Sequence, residues 1–67
     1  MPSLYDYHIS QQIASRDEPF YALLFALIRK ADTYNAERLK EAFPEVYNEF
    51  WTRYNARGGY LPNERSS

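Results

Sequence analysis

Apolar residues recur at spacings of three and four along four successive stretches of the chain, which is the period of an α-helix. In the first stretch, from Ser3 to Ser15, the Ser3 hydroxyl and the Asp6 carboxylate have the spacing of a helix-capping pair. The apolar stripe of this stretch is narrow and consists of Tyr5, Ile9 and Ile13. We therefore predict a first helix that packs along one edge.

The second stretch is apolar at nine consecutive positions, residues 20–28. We expect Asp17 to cap this helix and Pro19 to lie in its first turn, where the missing N–H of proline costs nothing. A helix that is apolar around most of its circumference must be covered on most sides, by neighbouring helices or by another chain, so this segment is predicted to be the central helix. Tyr21 and Phe25 extend the apolar stripe of this helix to a second side. The stripe itself is wide and consists of Phe20, Leu23, Leu24, Leu27, Ile28 and Ala31.

Two further helices are predicted on either side of Pro44. Asp32 is a candidate cap for a helix over residues 34–43, and a fourth helix spans residues 45–56. Proline ends the helix before it and suits the first turn of the helix after it, so a sharp corner without a loop is expected. Gly58 and Gly59 then stop the fourth helix, because glycine readily takes the left-handed conformation that ends helices.

The fold class predicted from these segments is all-α, a small orthogonal bundle of three to four short helices. Residues 1–62 form a single domain, and residues 63–67 are expected to be a flexible C-terminal tail. A chain of 67 residues buries only about 60% of its surface on folding, so the core must be small.

Charge and cysteine content set limits on the partners. Eight basic and nine acidic groups nearly cancel, and the basic residues do not cluster, so no polyanionic partner is indicated. The chain has no cysteine, and its first residues lack the basic segment and apolar run of a secretion signal. The apolar run is also too short for a membrane span, which needs roughly 20 residues. We expect a soluble cytoplasmic protein without membrane contact.

No set of residues has the spacing of a catalytic or cofactor-binding site, so the protein is predicted not to be an enzyme. We predict no catalytic, metal-binding or cofactor-binding residue. His8 is the single histidine and has no nucleophile or second histidine within reach. Carboxylates recur at every fourth residue, at Glu37, Glu41, Glu45 and Glu49. The corner at Pro44 divides this series between two helices, which favours a solvated charged face over a metal site.

The helix pair around Pro44 also has the outline of a helix-turn-helix, so a compact DNA-binding regulator is the alternative function. The fourth helix would be the reading helix, yet it carries Glu45 and Glu49, which phosphates repel. This alternative requires a basic face that folding assembles from separate segments: Arg29, Lys30, Arg38, Lys40 and Arg53. Nucleic acid is therefore the less favoured partner.

Aromatic residues are unusually frequent, at 18% of the chain. A short chain has little interior in which to bury them, and exposed tyrosine and tryptophan residues are typical anchors of protein interfaces. The same residues could equally fill a thin core. For a protein partner or for self-association, the candidate interaction residues are Tyr21, Phe25, Trp51, Tyr60 and Leu61.

Four segments together resemble small uncharacterised helical proteins of bacteriophages and prophages: residues 9–14, 30–36, 43–46 and 53–59. The resemblance covers most of the chain and brings no catalytic or ligand-binding residue with it. It implies an accessory protein that binds a virion component or a host factor. If the protein is phage-encoded, the expected location is the cytoplasm of the host cell.

Overall fold

The computed structural model describes residues 1–64. Within that range the chain forms four α-helices and two short 3-10 turns, with no strand. The helices are α1 (Leu4–Ala14), α2 (Phe20–Lys30), α3 (Thr33–Ala42) and α4 (Pro44–Tyr54), and the turns are Arg57–Gly59 and Pro62–Glu64. The predicted all-α fold is confirmed.

Local capping chemistry explains where α1 and α3 begin. The Ser3 Oγ accepts a hydrogen bond from the Asp6 N–H at 3.2 Å, and the Asp6 carboxylate accepts one from the Ser3 N–H at 2.9 Å. At the start of α3, the Asp32 Oδ1 accepts from the Asn35 N–H at 2.8 Å. Both predicted caps are therefore confirmed, and each pairs backbone groups that a helix start leaves free.

The predicted cap of α2 is wrong, because Asp17 ends α1 instead of starting α2. Its backbone is left-handed, with φ of 53°, and its N–H donates to the Ala14 carbonyl at 3.0 Å. Aspartate is one of the few side chains that tolerate this conformation. Pro19 takes the N-cap position of α2, which has no side-chain cap.

Phe43 forms the whole connection between α3 and α4. It is the C-cap of α3 and the N-cap of α4, with φ of −135° and ψ of 64°. Its N–H donates to the Leu39 carbonyl at 2.8 Å, and its carbonyl accepts from the Tyr47 N–H at 2.9 Å. The predicted corner at Pro44 is confirmed, and it brings α3 and α4 into contact without a loop.

The core is small and is centred on α4. Leu24, Ile28 and Phe50 are the buried residues of the described chain, and half-buried side chains surround them: Phe25, Leu39, Val46 and Tyr47. Helix α4 packs against α2, α3 and the first 3-10 turn. No residue of α1 is buried. The central helix is thus α4 and not α2, since α2 packs on α4 with one side only.

The chain folds back after α4, which ends two residues earlier than predicted. Gly58 and Gly59 both have left-handed backbones, with φ of 66° and 75°. The Tyr60 ring lies so close to Gly58 that a Cβ there would be 3.2 Å from it. Of the predicted tail, Asn63 and Glu64 belong to the second 3-10 turn, and residues 65–67 lie outside the described residues.

The chain exposes more surface than a compact protein of its mass. Its accessible area is 6062 Å², whereas a compact monomer of 8.0 kDa exposes about 4,450 Å². The difference is about 1,600 Å². Exposed large apolar residues on all four helices contribute to this excess.

The first prediction concerns the core. Replacing Phe50 with Ala removes the α4 side chain that packs against Leu24 and Ile28 of α2. Loss of a buried phenylalanine lowers the free energy of unfolding by about 3–5 kcal/mol. A domain of this length has only about 3–10 kcal/mol to lose. We expect Phe50→Ala to be largely unfolded, measured by far-ultraviolet circular dichroism and thermal melting.

The matched control is Tyr34→Ala, which removes an aromatic ring that is 70% exposed on α3. This variant should melt close to the wild type. Equal melting temperatures for the Phe50 variant and the wild type would show that the core lies elsewhere.

Candidate protein-interaction surface

Helix α2 has a second apolar side that the rest of the described chain covers only in part. Leu24 and Ile28 point into the core, and because each residue turns the helix by about 100°, their neighbours on the other side point away from it. Leu23 is 39% exposed and Leu27 is 53% exposed. We call this side the free face of α2 and define it as Ala22, Leu23, Ala26 and Leu27.

Two open grooves lie along the free face, one on the side of α1 and one on the side of α3. The first groove is bounded by Ile13 of α1 and by Arg16 and Glu18. The second is lined by α3 residues: Asn35, Arg38, Leu39 and Ala42. Leu27 and Lys30 line both grooves. The free face is therefore an apolar ridge with a groove on each flank, a shape that another helix can engage.

Sequence reasoning missed this ridge because it assigned Leu23 and Leu27 to the core stripe together with Leu24 and Ile28. The feature of the sequence that indicated a second apolar side was the width of the stripe, since nine consecutive apolar residues cover the whole circumference of a helix. A single neighbour such as α4 can bury only one side. The position of that neighbour is decided by tertiary packing, which the pattern of α2 does not contain.

Two of the predicted interaction residues lie on the side of α2 that faces α4. Phe25 is half-buried, with its ring centroid 5.7 Å from that of Phe50. Tyr21 is 59% exposed, and the two side chains line a shallow groove with Val46 and Glu49. Phe25 is therefore part of the edge of the core, and Tyr21 is accessible.

The other three predicted residues lie on α4 and in the C-terminal turns. The Trp51 ring packs edge-on against Phe50 at 5.0 Å and against Tyr54 at 5.1 Å, and the residue stays 37% exposed. Tyr60 is 55% exposed, and Leu61 is half-buried. The five residues are spread over the edge of the core, α4 and the turns, and their role in binding stays a prediction.

Arg53 holds the C-terminal turn against α4. Its Nε donates to Glu49 at 2.8 Å, and its two terminal nitrogens each donate to the Glu64 carboxylate at 2.7 Å. It also donates to the Gly59 carbonyl at 2.9 Å, while Glu64 accepts from the Leu61 N–H at 3.2 Å. Glu49 and Arg53 form an ion pair one turn apart on α4. Hydrogen bonds from Arg53 lower the pKa of Glu64, and the bonds with Glu64 and Glu49 raise the pKa of Arg53.

Two other arginines lie over aromatic rings. The guanidinium of Arg29 is 5.3 Å from the centroid of Phe50 and 5.5 Å from that of Tyr54. The guanidinium of Arg38 is 5.4 Å from the centroid of Tyr34. These are cation–π distances. Three of the five cations required for a DNA-binding face are thus engaged within the chain.

Comparison with known proteins assigns no family. No family model, no curated protein and no solved structure matches the chain.

The described residues contain no cluster with an obvious chemical activity. Nowhere in residues 1–64 do three or more histidine, aspartate or glutamate side chains approach closely enough to hold a metal ion. His8 is exposed, and its ring centroid is 6.2 Å from that of Tyr7. Within the same residues, no helix combines the length and the apolar character needed to cross a membrane.

The second prediction concerns the Glu64 carboxylate. Its pKa is lowered from 4.5, so its bonds to Arg53 are fully present above that value and are lost as the pH falls through the lowered pKa. Arg53 stays protonated throughout. We expect the Leu61 amide resonance, followed by NMR, to titrate with a midpoint below 4.5.

Glu64→Gln should abolish this titration and release the second 3-10 turn at neutral pH, whereas Glu41→Gln on α3 should change neither. A Leu61 amide that titrates at an ordinary glutamate pKa, or that titrates unchanged in Glu64→Gln, would contradict the assignment of this ion pair.

Proposed function

We propose that this protein acts by binding a protein chain through the free face of α2, as a small non-enzymatic accessory protein. The observation that carries the proposal is the pair of exposed leucines, Leu23 and Leu27, on a ridge between two grooves. Large apolar residues on one contiguous surface are typical of interaction sites, whereas isolated ones are ordinary.

The free energy available at this surface is appreciable for so small a domain. Complete burial of a leucine contributes about 1.5–3 kcal/mol, and Leu23 and Leu27 have about half of that still to gain. The flanking grooves supply further apolar contact through Ile13 and Leu39. A helix laid along α2 would cover these side chains together.

The resemblance to small bacteriophage and prophage proteins supports a role as an adaptor, a virion component or an inhibitor of a host factor. Each of these roles depends on protein binding and none requires catalysis. We place the protein in the cytoplasm, which is the host cytoplasm if the protein is phage-encoded.

DNA binding has less support from the arrangement of charges. A reading helix needs exposed cations, yet Arg53 of α4 is paired with Glu49 and Glu64. Arg29 lies over the rings of Phe50 and Tyr54. Phosphate groups would have to compete with these internal partners for each guanidinium.

The third prediction tests protein binding at the free face. We expect a photoreactive p-benzoylphenylalanine placed at Leu27 to form light-dependent protein adducts in cells that produce the protein. The same residue placed at Glu41, which is exposed on α3, is the control and should form few or none. Equal adduct yields from the two positions, or no adduct from position 27, would refute binding at this face.

A further inference from the structure

We infer that the occupant of the free face is a second copy of this chain, with the two α2 helices antiparallel across a two-fold axis. This inference rests on the proposed function, because it names the partner of the same surface. Three features of α2 and of the whole molecule lead to it: the order of large and small residues, the distribution of charge, and the exposed area.

The free face is self-complementary when it is rotated by 180°. Large and small residues follow one another as Ala22-Leu23 and Ala26-Leu27, one turn apart. In an antiparallel pair whose axis passes between residues 24 and 25, Leu23 of one copy meets Ala26 of the other, and Leu27 meets Ala22. Facing large residues with small ones lets two helix surfaces interdigitate, as the cores of helix pairs do.

The charges at the two ends of the face are also complementary under the same rotation. The segment before α2, residues 16–18, carries a net charge of −1, and both Arg16 and Glu18 lie at the edge of the groove. At the other end, Lys30 lines both grooves. The antiparallel arrangement places Lys30 of each copy beside Glu18 of the other. A parallel arrangement would instead bring like charges together, which is unfavourable.

The chain also exposes more area than a compact monomer does. A standard interface takes about 800 Å² from each partner. The chain exposes about 1,600 Å² more than a compact monomer of its mass. This excess is distributed over the whole chain, and the exposed leucines of the free face contribute part of it.

The fourth prediction tests the dimer by light scattering coupled to size exclusion, across micromolar to millimolar concentration. We expect a mass of twice 8.0 kDa. The double variant Leu23→Gln with Leu27→Gln should weaken association by at least about a hundredfold, because four leucines lose their cover in each dimer. Glutamine keeps helix propensity, so circular dichroism should show α2 intact.

The matched control is Leu4→Gln, which replaces a leucine that is 70% exposed near the start of α1. It should leave the dimer unchanged. A wild-type mass of 8.0 kDa at every concentration would overturn the dimer, as would a dimer insensitive to the Leu23 and Leu27 changes. Adducts with a different protein from position 27, combined with a monomeric wild type, would overturn this inference and leave the proposed function standing.

A charge exchange tests the antiparallel orientation without changing an apolar residue. With Glu18→Lys alone, the new lysine of each copy faces Lys30 of the other, and with Lys30→Glu alone, the new glutamate of each copy faces Glu18 of the other. Either variant therefore has two contacts between like charges, which should weaken dimer affinity by roughly tenfold. Mixing the two variants restores both opposite-charge contacts only in the mixed dimer, which should form with wild-type affinity. Single variants that dimerise as well as the wild type, or a mixture no tighter than its components, would overturn the antiparallel arrangement.

Discussion

The ring of Phe50 projects from the middle of α4 and packs with Leu24 and Ile28 of α2. Among residues 1–64 these three side chains are the buried core, and the half-buried residues of α2, α3 and α4 gather around them. Arg29 of α2 reaches over the same ring, so a charged group closes the core on the solvent side. The position of Phe50 thus decides which side of α2 faces inward, and with it which side is left uncovered.

Features that depend on neighbours in the sequence could be predicted, because the physical cause lies within one turn of helix. Ser3 with Asp6, Asp32 with Asn35, and the corner at Pro44 are all of this kind. The prediction that Asp17 caps α2 was wrong because aspartate suits both the N-cap of a helix and the left-handed conformation at the end of a helix. The choice between the two depended on where α1 ended.

Features that depend on tertiary placement could not be predicted in the same way. Glu64 binds Arg53 across eleven residues, and no periodic pattern links the two positions. The two sides of α2 are equally apolar in the sequence, so Leu23 and Leu24 could not be separated until the contact with α4 was known. For the same reason Tyr21 and Phe25, which the pattern grouped together, differ in burial.

The uncovered side of α2 also bears on the isolation of α1. The apolar stripe of α1 has no buried residue, yet Ile13 borders the groove beside the free face. Helix α4 packs on one side of α2, and on the other side Leu23 and Leu27 stay exposed. In the proposed antiparallel pair, α2 of the second copy would lie in this groove and would give Ile13 an apolar neighbour. The same contact would then cover α2 and anchor α1, so that two elements left incomplete in one copy are completed by a single association.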